Sequence, residues 1–315
     1  MKIIGAGMAG LIAANYFSRY KPTVLEIQKE LPHNHSALLR FKTNVIGEAM
    51  KIPFTKVLVH KSIVHGDQFI EKSNPFVCNQ YSLKVIGSIR SRSIWNTESD
   101  YRYIAPYNLI EQLAKDVDIK YSTDFNLSTK TESEPIISTI PMLVMMKKIG
   151  WKCKANFGRR RIWALNADID IDIDVYQTIY FSDFDKIYYR ASIVGNKLIA
   201  EFCAEPEQDA EYYCSEILSY FGMDEDTRIH AKNVTMKVQE YGKIVEVDDE
   251  ERKEFIYTLT RDHGIYSLGR FATWRQILLD DLISDLDVIH SLMRVEGKRK
   301  LYNQSLTAAH QEKDV

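Results

Sequence analysis

The chain has 315 residues, 45% hydrophobic and 27% charged, a balance of core and surface that suits one large or two ordinary globular domains. A formal net charge of −2 gives no overall pull toward nucleic acid or an anionic membrane, so any polyanion has to be bound locally. Cys78, Cys153, Cys203 and Cys214 lack metal-ligand spacing and read as reduced, buried thiols, and no apolar run approaches the roughly 20 residues that span a bilayer, so a cytoplasmic protein without a membrane partner is expected.

Lys2-Ile3-Ile4 predicts a short strand, Gly5 to Gly10 a glycine turn, Leu11 to Tyr20 a helix and Thr23 to Glu26 a second strand. That order is the opening βαβ unit of a doubly wound parallel sheet. From Ile52 to Arg92 the pattern changes to short strands, Lys56 to Val59 and Leu83 to Ile86 among them, which reads as an excursion from the first domain. Pro106 suits the first turn of a helix running through Leu109, Leu113 and Ala114, because its missing N–H costs nothing there. Ile119 to Tyr121 is the next strand, and Pro135 to Pro141 a buried strand that returns the chain to the parallel sheet. Between Trp151 and Phe202 strands dominate, including Tyr176 to Phe181 and a hairpin turning at Gly195-Asn196.

The alternation from Asp168 to Asp174 reads as a strand with one wet acidic face in preference to a cation site. Glu207 to Phe221 predicts an amphipathic helix stopped by Gly222, followed by strands over Val234 to Val238 and Ile244 to Val247. Gly264 to Gly269 is a last buried strand, Trp274 to Met293 a closing helix, and the polar stretch from Glu296 a frayed tail.

Gly5-Ala6-Gly7-Met8-Ala9-Gly10 matches G-x-G-x-x-G, and each small residue has its own task. Gly5 permits the tight turn, Gly7 lets the backbone approach a pyrophosphate, and Gly10 with Ala14 lets the helix pack closely on the sheet. Free N–H groups and the positive helix end then face the pyrophosphate. Glu26 closes the second strand, where a carboxylate accepts hydrogen bonds from ribose hydroxyls and repels a 2′-phosphate, which disfavours NADP. The motif alone leaves FAD and NAD both open. At the far end Gly269 and Arg270 follow a buried strand, so their turn is either a second set of N–H groups near the same dinucleotide or an ordinary strand-to-helix connection.

At these residues the chain resembles the flavoprotein superfamily that includes UDP-galactopyranose mutase, protoporphyrinogen oxidase and flavin amine oxidases. The stations that carry the likeness are the glycine motif with Glu26, the strand ending Ser138-Thr139-Ile140-Pro141, and Gly269-Arg270-Phe271-Ala272-Thr273-Trp274-Arg275. The last is similar to the mutase's Gly-Arg-x-x-Thr-aromatic-basic segment beside flavin and substrate diphosphate. The mutase's histidine-rich glycine loop is not recognisable, although His33 to Phe41 falls near its place, and the chain is shorter than typical members. There is also a loose likeness to small bacteriophage flavoproteins associated with DNA base hypermodification.

The resemblance implies an α/β fold: a Rossmann-type FAD-binding domain over 1–50, 104–150 and 228–295, an inserted, mostly antiparallel substrate layer over 51–103 and 151–227, and a flexible tail over 296–315. It implies FAD against Gly5, Gly7, Met8, Ala9, Gly10, Glu26, Ile27, Arg40, Thr139, Pro141, Gly269 and Arg270, with Arg270, Arg190 and Arg275 at the reacting end and no metal, a cross-strand ion pair being the alternative for Arg190. The expected activity is that of an FAD-dependent oxidoreductase or mutase acting through the flavin N5 on a nucleotide-linked or other anionic small molecule, the arginines holding the anion's charge. An amine oxidase or lyase, with an apolar, aromatic-walled pocket and a modified DNA base among its conceivable substrates, is the alternative. A non-catalytic FAD scaffold is the third reading.

Among lesser candidates, Arg159-Arg160-Arg161 reads as solvated surface before a phosphate grip, and His33 and His35 as exposed before flavin-lining. Tyr101, Tyr103 and Tyr107 read as core or interface before base-stacking.

Overall fold

A computed structural model describes residues 1–31, 39–129, 134–171, 174–226, 231–245, 247 and 249–311, the last fifteen of these as backbone alone. His33 and His35 lie outside the described residues. The first half contains β1 (Lys2–Ile4), α1 (Met8–Tyr16), β2 (Thr23–Leu25), β3 (Arg40–Phe41), α2 (Val45–Met50), β4 (Thr55–His65), β5 (Gln68–Ile70), α3 (Pro75–Ile86), β6 (Asp100–Ile104), α4 (Leu109–Ala114), β7 (Asp118–Lys120), β8 (Ile136–Ser138) and α5 (Met142–Lys148). The second half contains β9 (Arg159–Asp168), β10 (Val175–Phe181), β11 (Tyr188–Gly195), β12 (Lys197–Phe202), α6 (Ala210–Tyr220), β13 (Lys232–Ile244), α7 (Asp249–His263), β14 (Ile265–Ser267), α8 (Arg270–Thr273) and α9 (Leu282–Gln311).

Two sheets organise these elements. The smaller is parallel throughout, in the order β14-β8-β1-β2-β7. Its strands are three residues each and mostly buried, because helices cover both faces. On one side Leu11, Leu109, Leu113, Leu286 and Ile289 of α1, α4 and α9 form a core with Phe17, which follows α1; on the other Met142, Met145, Phe255 and Leu259 of α5 and α7 pack with Ile4, Ile136 and Ile265. This is the doubly wound α/β arrangement that the opening βαβ unit predicts.

The larger sheet runs β13-β9-β12-β11-β10-β4-β6-β3, antiparallel except where β4 meets β10. Strand alternation gives it two unlike faces. Ile179, Ala191, Ala200, Leu165 and Met236 are cross-strand partners and form an apolar row against the core that α6 completes. One residue along, the row is Tyr180, Arg190, Glu201, Ala164 and Lys237, and the next on that face is Thr178, Ser192, Ile199, Asn166 and Thr235. This second, polar face looks inward.

Several sequence expectations change. Leu83 to Ile86 is the end of helix α3, not a strand. Asn74 caps that helix by accepting the Val77 N–H at 3.1 Å, Pro75 fills its first turn, and Gly87 ends it at φ +76°, so its start and stop residues outweigh a short apolar run. The closing helix begins at Leu282 and not at Trp274, because Trp274 takes a left-handed conformation that ends α8, and the Asp281 carboxylate then caps Leu278 N–H at 2.8 Å. Its backbone stays helical through Gln311.

The acidic alternation is not one strand: β9 stops at Asp168, and Ile169 turns inward, its N–H on Asn196 O at 2.8 Å. Residues 172–173 of that stretch lie outside the description. Val234 to Val238 lies inside β13, which joins the large sheet and ends at Ile244, so the second predicted strand shares only its first residue with it. Cys153 is exposed and Cys203 half-buried, so only Cys78 and Cys214 fit the expected buried thiols. Among the described residues no helix is long and apolar enough to cross a membrane.

Candidate functional site

The β1–α1 turn is built by backbone fit. Gly5 has φ +93°, a conformation that side-chain-bearing residues rarely adopt, and a Cβ on Gly10 would lie 1.9 Å from Gly5 O. Both glycines are therefore demanded by the chain itself. Thr139 tightens the same turn from below, its Oγ1 donating to Ile4 O at 2.9 Å and Gly5 O at 3.1 Å. Gly7 differs: its φ is −69°, open to any residue, and a Cβ there would meet nothing within 4 Å. Its bareness keeps clear a space outside the protein, at the N-cap of a nine-residue helix with no capping side chain and no acid in its first turn. Such a space, faced by N–H groups and the positive helix end, fits two linked phosphates.

Glu26 points into this turn. It is nearly buried, with Oε2 accepting the Ala6 N–H at 2.7 Å and Oε1 the Gln28 N–H at 2.9 Å. A carboxylate oxygen has two acceptor positions, so one on each remains for ribose hydroxyls. Ile27, next in the chain, is exposed; Met8 is buried and Ala9 half-buried at the helix start. Pro141 caps α5 and lies beyond Thr139. The β14–α8 turn comes to the same place: Gly269 has φ +93°, and a Cβ on it would stand 3.1 Å from Ala9 Cβ. The first and last stations of the predicted site thus touch.

The second half of the site is a cluster of cations carried by α8, β3 and the polar face of the large sheet. Arg190 of β11 forms an ion pair with Glu201 of β12 through Nε and Nη2. Burial alone would raise the Glu201 carboxyl, but Arg190 and Lys243 hold it below the usual carboxylate range. Arg270 anchors its guanidinium on Ile277 O, with Nε at 3.0 Å and Nη2 at 2.8 Å, while Glu201, Arg190 and Arg92 act on it electrostatically. Arg40 donates to Thr178 Oγ1 at 2.7 Å, and Thr178 in turn meets Ser192 Oγ at 2.8 Å. Burial and the neighbouring Arg190 bring Arg40 down to about 10.

Two cations that the sequence reading left out complete the group. Arg92 lies over the Tyr81 ring at 5.6 Å and Lys243 over the Tyr189 ring at 5.5 Å, and the two rings are 6.2 Å apart. Arg92 Nε is buried without a hydrogen-bond partner among the described residues. Arg40, Arg92, Arg190, Lys243 and Arg270 therefore gather around one carboxylate, an arrangement suited to an anionic ligand. Further along the same face is a cavity of about 550 Å³, lined by Asn166, Ile199, Thr235 and Lys237 of the sheet with Ile104 and Tyr107 opposite.

Arg275 does not join the cleft. It is tied to Asp285 of α9 and to Thr273 Oγ1, the latter at 3.2 Å. The three consecutive arginines begin β9 as surface: Arg161 Nε meets Glu240 at 2.9 Å, Arg159 lies over Tyr241 at 4.4 Å, and Arg160 covers Gly87. Tyr101 lies beneath Lys56, and Tyr103 is half-buried against the first core.

No family model and no curated protein matches the chain. Solved structures do. The chain is similar to a geranylgeranyl bacteriochlorophyll reductase-like protein from Thermoplasma acidophilum, at 11% identity and TM-score 0.55, over 98% of this chain and 83% of that one. It is similar to a flavoprotein/dehydrogenase from Cytophaga hutchinsonii, at 12% identity and TM-score 0.51, over 93% and 77%. It is similar also to aklavinone-11 hydroxylase, whose structure is a ternary complex with FAD and aklavinone, at 9% identity and TM-score 0.50, over 94% and 62%. The likeness is one of fold.

Proposed function

We propose that this protein holds FAD in the glycine cradle and acts as a flavin-dependent oxidoreductase on an anionic substrate bound at the inner face of the large sheet. The observation that carries the cofactor half is Gly7, whose missing side chain serves no need of the chain and leaves room at an uncapped helix start. The flavoprotein named among the similar structures and the FAD of the hydroxylase complex agree with that reading. The residues present fit the group: the amides of 7–10 for the diphosphate, Glu26 for the ribose beside it, and the Gly269 turn for the part that reaches the cleft. When bound, FAD supplies a ring that accepts and returns hydride or makes a bond through N5.

The protein's own work is to place the substrate. Arg190, held by Glu201, presents a fixed guanidinium; Arg270, held by Ile277 O, presents another from the opposite wall. Fixed donors of this kind stabilise charge without having to reorganise when the substrate arrives. An amine substrate would enter among like charges, so the anionic reading is preferred over the amine oxidase. In its narrower, mutase-like form the substrate is a nucleotide-linked sugar whose diphosphate lies on Arg190 and Arg270. Arg275, committed to Asp285, contributes to the fold instead.

The test is Gly7→Val. Because the added side chain starts in open space, the variant is expected to melt within a few degrees of the parent and yet purify colourless, where the parent is yellow and releases FAD on denaturation. A folded, fully yellow variant would overturn the reading. Oxygen uptake compared across carboxylates, phosphate esters and amines then separates the substrate classes.

A further inference from the structure

Of the cations gathered here, Lys243 and Arg92 have ring contacts but no side-chain hydrogen bond to a described residue, and of the two only the amine loses a proton within reach of neutral pH. Arg190 has Glu201, Arg270 has Ile277 O and Arg40 has Thr178 Oγ1. The Lys243 amine has a ring contact with Tyr189 and no hydrogen bond to any described residue. Its position is nonetheless built. A register slip between β13 and β9 separates Gln239 from Lys243 and sets Lys243 opposite Arg160, on the inner face shared by Ile162 and Ala164. The bare Cα of Gly242 permits the close approach, since a Cβ there would lie 2.5 Å from Ile162 Cγ1.

The surroundings are unequal in charge. Among the described residues Glu201 on β12 is the anion acting most strongly on the amine; Arg190 on β11, Arg92 ahead of Ile94, Arg270 on α8 and the cross-strand partner Arg160 on β9 are cations, and Tyr189 and Tyr81 on β11 and α3 are neutral rings. Burial first, and Arg190, Arg92 and Arg270 after it, bring Lys243 down to about 7. An anion set among these three arginines would reverse the balance.

We propose that Lys243 is only partly protonated in the substrate-free cleft and takes up a proton from solvent as an anion enters, so that anion binding and full protonation of Lys243 are a single coupled event. The inference rests on the anionic reading of the cleft given above. The step is one N–H bond formed on Nζ with a solvent proton, and nothing is oxidised or reduced. Reciprocity then requires that anions bind more tightly as pH falls through neutrality, because the charge gained on Lys243 is returned as affinity.

The experiment titrates the purified holoprotein with sulfate, a probe that does not itself titrate near neutrality, by calorimetry in two buffers of different ionisation heat. At about pH 8, one unit above the Lys243 midpoint, the parent is expected to take up nearly one proton per sulfate, and its affinity to be about tenfold lower than at about pH 6. Lys243→Met should bind sulfate with no proton uptake and a flat pH dependence. Lys243→Arg, permanently charged, should restore the affinity without restoring the uptake. As a direct reading of the amine, its acetylation followed by peptide mass spectrometry should rise with pH around a midpoint near 7.

Sulfate binding without proton uptake in the parent, or the same uptake in Lys243→Met, overturns the inference and leaves the anionic reading standing. No sulfate binding at all removes both. The yellow colour of the preparation reports on the cofactor separately.

Discussion

The glycine cradle and the cationic cleft both receive negative charge, by opposite means. The cradle uses neutral groups: backbone amides and a helix end, with Gly5 and Gly10 fixing the bend and Gly7 keeping it clear. It is local, since Gly5 to Gly10 and Glu26 lie within one βαβ unit. The cleft uses full charges brought from the Arg92 loop, β3, β11, β13 and α8, with one carboxylate at its centre. Partial charges on a rigid backbone hold a ligand at little cost to the fold. Gathered ammonium and guanidinium groups repel one another, and each depends on its neighbours.

That contrast predicts where damage spreads. The largest effect is expected from Arg190→Ala, which leaves Glu201, 8% exposed, buried without its partner. A loss of about 3 kcal/mol should appear in urea unfolding, and Glu201→Ala added to it should recover much of the loss. Independent additive losses would break the picture of a coupled cleft. Gly10→Ala comes next: its Cβ has to displace Gly5 O, costing about 1–3 kcal/mol and flavin together, so colour and melting temperature should fall in step. If stability drops and colour stays, the bend is not the holding element. Smallest is Arg270→Ala, expected to weaken sulfate about tenfold with flavin content unchanged, since the residue braces Ile277 O from the cleft wall. Loss of flavin instead would move Arg270 from cleft to cradle.

The same contrast decided what was legible in the sequence. Gly5, Gly7, Gly10 and Glu26 stand at spacings set by one turn, so strand, bend and helix could be read directly, as could the buried strands at 136–138 and 265–267. Arg190 and Arg270 stood out beside motifs, whereas Lys243 and Arg92 sit in polar stretches whose place depends on a bulged register and a loop. No local pattern announces that β13 joins the edge of the large sheet and not the α/β half. Helix α7 went unread because its first turn, Asp249-Glu250-Glu251, resembles a solvated acidic run; the acids face a helix start, and the apolar spacing is carried by Phe255 and Leu259 alone. The tie of Arg275 to Asp285, ten positions on, was not legible either, because adjacency to Arg270 in sequence says nothing about it.

The three glycines of the turn also differ in what keeps them. Gly5 and Gly10 answer to the architecture, one through its dihedral and the other through a carbonyl pressed against its α-carbon, while Gly7 answers only to an occupant. A descendant of this protein that had given up its cofactor would still need the first and third to fold, and would be free to acquire a side chain at the second. Drift at Gly7 with Gly5 and Gly10 retained is therefore the mark by which a silent relative would be told from a working one.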